Sequence, residues 1–307
     1  MAPMVPDGFL HDLAPVAGQL LERHLSTAKE WFPHELVPWS RGRDFEPGEA
    51  WQAEDDLPDA VRSALFVNLL TEDNLPYYLR TISRMFSAAD VWGEWAHRWT
   101  AEEGRHAIVI RDYLVVTRAV DPVALERGRM SQVSGAKVPE PAGPANGVVY
   151  VALQELATRI AHRNTGKLLS DRAGYDVMAR VAADENLHYL FYRDLATAAF
   201  ERDPSEMVIA VEQEVREFEM PGTGIPDFGH HAMAIARAGI YDLAIHADQI
   251  LVPVVLRHWG LEGLEGLTPE AEQARDRLVR HIERVRKAGH RLAARRAERE
   301  QALAATG

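Results

Sequence analysis

Hydrophobic residues recur along most of the chain with the 3.6-residue period of an amphipathic α-helix. This period predicts one helix over residues 15–30 and seven more over residues 60–89, 90–118, 146–170, 173–202, 204–219, 229–258 and 269–300. Pro- and Gly-rich stretches at 138–147 and 220–229 predict loops. Because alternating β-branched runs are nearly absent and several helices exceed 25 residues, the pattern favours an all-α protein built as a long bundle.

No stretch of linker-like composition divides the chain, so we predict a single domain over residues 1–307. Residues 1–58 would form an N-terminal helix and an arm that contains Pro and Trp. Residues 60–202 would form the central helices, and residues 204–307 would add further helices ending in a basic one. Three aspartates precede predicted helices or occupy their first turns, where such residues cap the backbone: Asp90, Asp171 and Asp203.

Acidic and imidazole side chains interrupt the apolar face of the predicted helix 173–202. Glu185 and His188 lie in one helical stripe with four apolar residues, Met178, Val181, Tyr192 and Leu195. An uncompensated buried carboxylate costs several kcal/mol or more. The stripe therefore predicts a partner that neutralises Glu185.

The spacing Glu-x-x-His occurs three times, and both members of such a pair face the same side of a helix. Glu103 and His106 continue a stripe of three tryptophans, so they point to the core together with the Glu185–His188 pair. The third pair, Glu94 and His97, begins nine residues before Glu103. Nine residues at about 100° each turn it half-way round the helix, so we expect this pair to face outward.

Two more glutamates occupy apolar stripes on other helices. Glu155 follows Val148 and Val151 and shares its stripe with His162, and Glu72 lies between leucines. One Glu from each of two helices and one Glu-x-x-His from each of two others is the ligand set of di-iron and di-manganese carboxylate bundles. Four carboxylates and two divalent ions would be neutral together, and carboxylate and imidazole ligands suit Fe or Mn.

The alternative interpretation of these six residues is a chance set of buried polar side chains, each with its own hydrogen bonds and no metal.

Pro76 lies four residues after Glu72, where its ring would clash with the carbonyl of Glu72 and bend or bulge the helix. Such a bend is either a tolerated kink or a cavity opened beside the metal ions, and the sequence is compatible with both.

Composition restricts the chemistry further. The chain has no Cys, which excludes thiolate zinc sites, iron–sulfur clusters and cysteine nucleophiles. Its net charge of −12 disfavours nucleic-acid binding, although residues 275–299 hold ten Lys or Arg against three Asp or Glu.

No basic segment followed by an apolar run opens the chain, and no apolar run is long enough to cross a bilayer, so we expect a cytoplasmic protein.

Four segments resemble the acyl-[acyl-carrier-protein] desaturases of plant plastids and actinobacteria. They are LLTEDNLPYY, WTAEEGRHAIVIRDYL, LQELATRIAHRNT and ADENLHYLFYRDL, and weaker similarity extends over most of the chain. The spacing between Glu72 and Glu103 is shorter than in the plant enzymes and closer to the actinobacterial type. The resemblance implies a ferritin-like di-iron four-helix bundle extended by additional helices.

The resemblance also implies the roles of individual residues. The iron ligands would be Glu72, Glu103, His106, Glu155, Glu185 and His188. Thr158 matches a threonine associated with oxygen activation. Trp39 and Asp184 match an electron path to His106, although Trp31 lies in the same arm. Asp184 would also hold the His106 tautomer.

The implied activity is O2-dependent desaturation of an acyl chain carried on acyl carrier protein, by two iron ions, with manganese as the alternative metal. The implied partners are a ferredoxin-type electron donor, the acidic carrier protein and a second copy in a homodimer. Carrier docking would use a local basic surface, either residues 275–299 or Arg41 and Arg43. Chain length and double-bond position do not transfer from the plant enzymes.

Other functions compatible with the sequence fall into three classes. A related di-iron oxygenase could hydroxylate or N-oxygenate a carrier-bound substrate with the same six ligands. A metal-binding bundle without catalysis would take up metal but would not couple O2 consumption to an acyl substrate. An interaction protein that works through its basic C-terminal helix would retain its function when Glu103 or Glu185 is replaced by Ala.

Overall fold

The computed structural model describes residues 8–46, 48–52, 57–135, 138, 140–220, 222 and 224–306. In these residues the regular secondary structure is entirely helical, which confirms the all-α prediction. The α-helices are α1 Gly8–Thr27, α2 Pro33–Leu36, α3 Asp59–Glu72, α4 Leu75–Phe86, α5 Asp90–Val116, α6 Pro122–Gly135, α7 Pro144–Leu168, α8 Arg172–Arg202, α9 Pro204–Glu217, α10 Phe228–Arg237, α11 Leu243–His246 and α12 Pro269–Thr306. Short 3-10 turns lie at Trp39–Arg41 and Leu261–Gly263, and Ala247–His258 is π-helical.

The long central helices α5, α7, α8 and α9 begin and end within two residues of their predicted bounds. Two of the predicted aspartate caps are present. The side chain of Asp171 accepts a hydrogen bond from the Gly174 amide at the start of α8, and Asp203 accepts one from Glu206 at the start of α9. Asp90 lies in the first turn of α5, the other position predicted for these aspartates.

The prediction of one helix over 60–89 is wrong, because the chain forms α3 and α4 with a break at Asp73 and Asn74. Pro76 has no amide hydrogen to continue the helix, and it occupies the first turn of α4, where none is required. The prediction of one helix over 229–258 is also wrong. It is interrupted after α10 by Gly239 at φ 68° and then becomes π-helical from Ala247.

Two other predictions need correction. The first helix covers Gly8–Thr27 rather than 15–30, and α6 lies where no helix was expected, because its apolar periodicity is weak. The loops predicted at 138–147 and 220–229 include residues 139, 221 and 223, which lie outside the described residues, as do residues 1–7, 47 and 53–56 of the predicted arm.

Helices α3, α5, α7 and α8 form the central bundle. Helices α7 and α8 are joined by only three residues and pack against each other along their length, and α5 packs on both α3 and α8. Additional helices surround this bundle: α1 packs on α5 and α8, α4 on α5 and α7, α10 on α3, and α12 on α9 and α11. None of the described helices is both long and apolar enough to span a membrane.

Two apolar clusters fill the bundle and leave a polar layer between them. Along α5, residues 92–99 belong to the first cluster and residues 107–114 to the second. Along α8 the order is reversed, with residues 177–181 in the second cluster and 189–200 in the first. The predicted ligands of both helices lie in the interval between the clusters, so the apolar packing encloses this layer on two sides.

Helix α12 approaches α11 closely at Gly289, where an added Cβ would lie 2.6 Å from the Ala244 nitrogen. We expect Gly289→Ala to lower the free energy of unfolding by about 1–3 kcal/mol, because backbone atoms cannot move aside as a side chain does. The matched control is Gly18→Ala in α1, where nothing lies within 4 Å. There alanine should stabilise the helix by about 0.5–1 kcal/mol. Thermal unfolding measures both, and equal shifts of the two melting temperatures would contradict the close contact.

Candidate metal centre

The six predicted ligands converge in the centre of the bundle, and all six are buried. Glu72 is the last residue of α3, Glu155 lies in the middle of α7, and the two Glu-x-x-His pairs lie on α5 and α8. The side chains form two sets, and within each set one ligand atom per residue lies within 4.8 Å of every other: Glu72, Glu103, His106 and Glu185; and Glu103, Glu155, Glu185 and His188. Glu103 and Glu185 belong to both sets, so each of them could serve as a ligand to both ions.

The distances within the sets suit a shared ion. Nδ1 of His106 lies 3.5 Å from Glu103 Oε2 and 3.4 Å from Glu185 Oε1. Nδ1 of His188 lies 2.9 Å from Glu103 Oε1 and 3.5 Å from Glu155 Oε2. Ligand atoms that each sit about 2.0–2.2 Å from one ion are roughly 3–4 Å apart, so both sets have the dimensions of a coordination shell.

Several buried polar atoms of these side chains make no hydrogen bond among the described residues; Nδ1 of His188 and Oε1 of Glu103 lie 2.9 Å apart, but both are acceptors when the imidazole proton is on Nε2. They point into the two sets and are Glu103 Oε1, His106 Nδ1, Glu155 Oε2 and His188 Nδ1. A buried polar atom without a partner costs about 1–3 kcal/mol, and a metal ion satisfies such atoms. The side chains therefore fit metal ions, and the donor set of carboxylate oxygen and imidazole nitrogen fits Fe or Mn.

The electrostatics of the centre also favour cations. Burial, and then repulsion from Glu185 and Glu72, raise the pKa of Glu103 to about 7. Burial and the charge of Glu185 likewise raise the pKa of Glu155 well above its usual value. Two divalent cations would remove this repulsion and keep the four carboxylates ionised.

Asp184 lies behind His106, as the sequence predicted. Its Oδ2 atom is 3.4 Å from Nε2 of His106, and it accepts hydrogen bonds from Trp31 Nε1 at 2.7 Å and from Arg105 at 3.2 Å. Arg180 forms a further ion pair with its other oxygen. A carboxylate in this place fixes the proton on Nε2, which leaves Nδ1 of His106 to face the ligand set.

Trp39 does not take the place predicted for it. Its side chain is 49% exposed, and its indole nitrogen donates to the backbone oxygen of His34. Trp31 is buried instead, donates to Asp184 and stacks nearly parallel to the His106 ring. The reason is that the arm turns at Pro33–Leu36, so Trp31 enters the bundle between α5 and α8 and Trp39 stays outside.

Glu102 forms the corresponding arrangement behind the other imidazole, and the sequence analysis missed it. Glu102 Oε2 is 3.0 Å from Nε2 of His188 and 2.9 Å from Nε2 of His24 on α1. Arg98 pairs with its second oxygen at 2.5 Å. Burial would raise the pKa of Glu102, but the hydrogen bonds from the two histidines outweigh it and lower that pKa.

The role of Glu102 could have been predicted from its position directly before a Glu-x-x-His pair. Both inward Glu-x-x-His pairs are preceded directly by another acidic residue, in EEGRH and in DENLH. In each case this acid pairs with the histidine of the other helix, since Glu102 of α5 contacts His188 of α8 and Asp184 of α8 contacts His106 of α5. The outward pair Glu94 and His97, which is exposed as predicted, has Gly93 before it.

Three further side chains hold the carboxylates in place. Thr158 donates its hydroxyl hydrogen to Glu185 Oε2 at 2.9 Å, so this predicted residue also borders the centre. Trp99 Nε1 donates to Glu155 Oε1 at 3.0 Å. His162, which the sequence placed on the inward stripe, lies 3.1 Å from Glu72 through its Nε2 atom.

Two largely apolar cavities border the centre, and Glu72 and Thr158 line both of them. The α4 cavity lies between α4, α5 and α7 and is lined by Tyr78, Ile82, Met85, Trp99, Tyr150 and Val151. The α10 cavity lies between α3, α7 and α10 and is lined by Ala64, Val67, Ala161, Phe228, Ala232 and Ile235. Residues on both sides of the break at Asp73 line the α4 cavity, so the interruption near Pro76 accompanies an open space beside the centre.

We expect Glu185→Ala to lower the iron bound per chain from two ions to one or fewer after loading with Fe(II), because Glu185 belongs to both ligand sets. Glu94→Ala is the matched control, since Glu94 belongs to the same kind of motif but faces solvent. Elemental analysis of the desalted proteins gives the metal content, and circular dichroism checks that the helices persist. Two ions per chain in the Glu185→Ala variant would contradict the ligand assignment.

Comparison with known proteins agrees with the fold and the motifs. The chain is 43% identical over 281 residues to the Mycobacterium tuberculosis protein named acyl-[acyl-carrier-protein] desaturase DesA1, a match that covers 88% of this chain and 83% of that protein. It is 32% identical to the rice protein acyl-[acyl-carrier-protein] desaturase 7, chloroplastic, over 91% of this chain and 76% of that one.

The X-ray structure of the acyl-ACP desaturase DesA2 from Mycobacterium tuberculosis superposes with a TM-score of 0.71 at 30% identity, over 87% of this chain and 99% of that one. The family model described as fatty acid desaturase matches residues 8–306, nearly the whole chain. The resemblance drawn from the four motifs is thereby confirmed, and the chain belongs to the fatty acid desaturase family.

Proposed function

We propose that this protein is an acyl-[acyl-carrier-protein] desaturase whose six buried ligands hold two iron ions. The observation that carries the proposal is the pair of ligand sets sharing Glu103 and Glu185, in a chain of the fatty acid desaturase family. The relatives at 43% and 32% identity bear the name acyl-[acyl-carrier-protein] desaturase. Manganese would fit the same donor atoms.

The chain's own residues prepare the site for this chemistry. Asp184 and Glu102 each accept from Nε2 of a histidine, so both imidazoles present Nδ1 to the centre. Thr158 holds one oxygen of Glu185 with its hydroxyl hydrogen. The apolar walls of the two cavities accommodate a hydrocarbon and exclude water from the centre.

Iron bound here would supply the oxidation: with O2, two electrons and two protons, two hydrogens leave adjacent methylenes and two waters form. The electrons would come from a ferredoxin-type protein, since the chain has no Cys for a cluster of its own. The acyl chain would arrive on the acidic acyl carrier protein. A homodimer is the assembly that the family resemblance implies, and it remains a prediction.

The proposal is tested by intact-mass spectrometry of a stearoyl carrier protein incubated with the iron-loaded protein, a ferredoxin reducing system and air. We expect the mass to fall by the two hydrogens lost. A gain of one oxygen would identify a hydroxylating relative instead. An unchanged mass for a series of acyl chain lengths, in protein shown to hold its iron, would reject desaturation.

Replacing Trp31 should slow the reduction of the iron by the ferredoxin system, and replacing Trp39 should not. We expect Trp31→Phe to slow reduction of the iron-loaded protein by the ferredoxin system by roughly 10–100-fold, the range by which changes to residues that support a metal ligand typically lower activity. The phenylalanine keeps the ring stacked on His106 but loses the hydrogen bond to Asp184. Trp39→Phe is the control. Stopped-flow absorbance follows the reduction, and equal rates in the two variants would exclude Trp31 from the path.

A further inference from the structure

The two ligand sets are alike in their carboxylates. The His106 set consists of Glu72, Glu103, His106 and Glu185, and the His188 set consists of Glu103, Glu155, Glu185 and His188. The glutamate that occurs only in the His106 set, Glu72, accepts from Nε2 of His162 at 3.1 Å. Its counterpart in the His188 set, Glu155, accepts from Nε1 of Trp99 at 3.0 Å. Because both donors are ring N–H groups, these glutamates do not distinguish the two sets.

The two histidines differ in the hydrogen bond behind them. Nε2 of His188 lies 3.0 Å from Oε2 of Glu102, whereas Nε2 of His106 lies 3.4 Å from Oδ2 of Asp184. An N–H···O hydrogen bond is strongest near about 2.9–3.0 Å, and a bond from Nε2 to a carboxylate makes the imidazole a better metal ligand. We therefore expect His188 to bind a metal ion more strongly than His106.

Asp184, behind His106, is in contact with two arginines. Its Oδ2 atom lies 3.2 Å from Arg105, and Arg180 forms an ion pair with its other oxygen. Only 21% of the Arg105 side chain and 18% of the Arg180 side chain are exposed. Solvent screens such enclosed charges little, so both guanidinium groups oppose a cation in the His106 set.

Glu102, behind His188, is in contact with one arginine and one histidine. Arg98 pairs with Oε1 at 2.5 Å, and its side chain is 40% exposed, so solvent screens its charge more strongly. His24 of α1 donates from Nε2 to Oε2 at 2.9 Å, and it supplies a hydrogen bond where Asp184 has a second permanent charge. The charge behind the histidines thus also favours a cation in the His188 set.

His24 holds Glu102 in this place. The His24 side chain is buried; its ring stacks on the His188 ring with centroids 5.8 Å apart and meets the Trp95 ring edge-on at 5.0 Å. Glu102 is therefore held from two sides, by Arg98 on Oε1 and by His24 on Oε2. Without His24, the exposed Arg98 would draw the carboxylate toward solvent and away from His188.

We propose that the two metal sites are unequal: the first divalent ion binds to the His188 set, and His24 is a positioning residue that maintains this preference through Glu102. Helix α1 then contributes to metal binding, although it carries none of the six predicted ligands. This inference rests on the two-ion centre of the proposed function. It adds the order in which the ions bind and the residue that sets this order.

Two matched variants isolate the sites. Glu72→Ala leaves the His188 set intact and Glu155→Ala leaves the His106 set intact, and each removes one buried glutamate. Mn(II) is the probe, because it suits the same donor atoms and because electron paramagnetic resonance measures the free ion directly. We expect Mn(II) to bind the Glu72→Ala variant roughly tenfold or more tightly than the Glu155→Ala variant. Equal affinities, or tighter binding by the Glu155→Ala variant, would overturn the inference.

The wild-type protein provides a second measurement that does not depend on the folding of any variant. With half an equivalent of Mn(II) per chain, unequal sites should give the signal of single bound ions, and the signal of coupled pairs should grow mainly after the first equivalent. Coupled pairs in the statistical proportion of equal sites, or in excess of it, would overturn the order of binding. Failure of the wild-type protein to bind Mn(II) would overturn it together with the two-ion centre.

Two changes at His24 test the positioning role. In the Glu72→Ala background, His24→Leu should weaken Mn(II) binding by about tenfold, the low end of the range for residues that support a metal ligand. His24→Gln should keep the affinity within about threefold, because its amide nitrogen extends about as far as Nε2 and can donate to Glu102.

The Glu155→Ala background provides the control for His24. There both changes at His24 should leave the Mn(II) affinity within about twofold, since the remaining site does not use His188. Equal weakening in the two backgrounds would indicate a general structural role and overturn the assignment of His24. Unchanged binding after His24→Leu in the Glu72→Ala background would overturn it as well. Circular dichroism and thermal melting check that each variant is folded.

Removing one charge behind His106 tests the electrostatic part. In the Glu155→Ala background, Arg180→Gln should tighten Mn(II) binding by about three- to tenfold, because one enclosed positive charge is lost. Arg172→Gln is the matched control, since Arg172 also pairs with an acid four residues later on α8 but is 84% exposed at the start of the helix. Unchanged or weaker binding in the Arg180→Gln variant would overturn the role of charge.

The titrations involve neither an acyl carrier nor O2, so they are independent of the stearoyl mass assay. Unequal binding without loss of hydrogens would reject the desaturase and keep the order of binding. Loss of hydrogens by a protein whose sites bind equally would keep the desaturase and reject the order.

Discussion

Burial of four carboxylates in an apolar helical bundle is the constraint around which this structure is arranged. Glu72, Glu103, Glu155 and Glu185 lie within one layer, where mutual repulsion and loss of water oppose ionisation. Side chains of the surrounding helices supply part of the compensation through hydrogen bonds to the carboxylates, and cations would supply the rest. The polar layer consequently needs rigid apolar packing above and below it, which the two clusters provide.

Two further acids, Asp184 and Glu102, hold the two histidines of the site, and each acid lies on the opposite helix from the histidine that it contacts. Both α5 and α8 carry an acidic residue just before the glutamate that belongs to both ligand sets, and that acid holds the histidine of the opposite helix. The two acids differ in the residue that contacts each of them from outside the four-helix bundle. Asp184 is backed by Trp31 from the arm and Glu102 by His24 from α1, so the N-terminal region completes both sides. The proposed electron path would lie on the Trp31 side, where the indole is hydrogen-bonded to Asp184 and stacked on His106.

The helices outside the bundle leave space beside the buried layer. The break between α3 and α4 accompanies the α4 cavity beside Glu72, and the interrupted segment after α10 places Tyr241 in the wall of the α10 cavity. Both cavities are lined mainly by apolar side chains, as is typical of cavities that bind small molecules.

The sequence by itself determined the all-helical class, the bounds of α5, α7, α8 and α9 to within two residues, and the inward position of the six predicted ligands. Hydrophobic periodicity is enough to predict these features, because the side of a helix on which a residue lies follows from its spacing along that helix. The outward position of Glu94 and His97 was predictable for the same reason. A bend or bulge near Pro76 was predicted, but the break into two separate helices was not.

Tertiary structure alone decided which side chains of different elements meet. Trp31 rather than Trp39 reaches Asp184 because a short turn in the arm directs one indole inward, and no helical period governs such a segment. Glu102 pairs with His188, 86 residues away, and Tyr241 meets His246 only because the chain leaves the helical path at Gly239. Periodicity describes one helix at a time, whereas these contacts depend on how helices and irregular segments pack against each other.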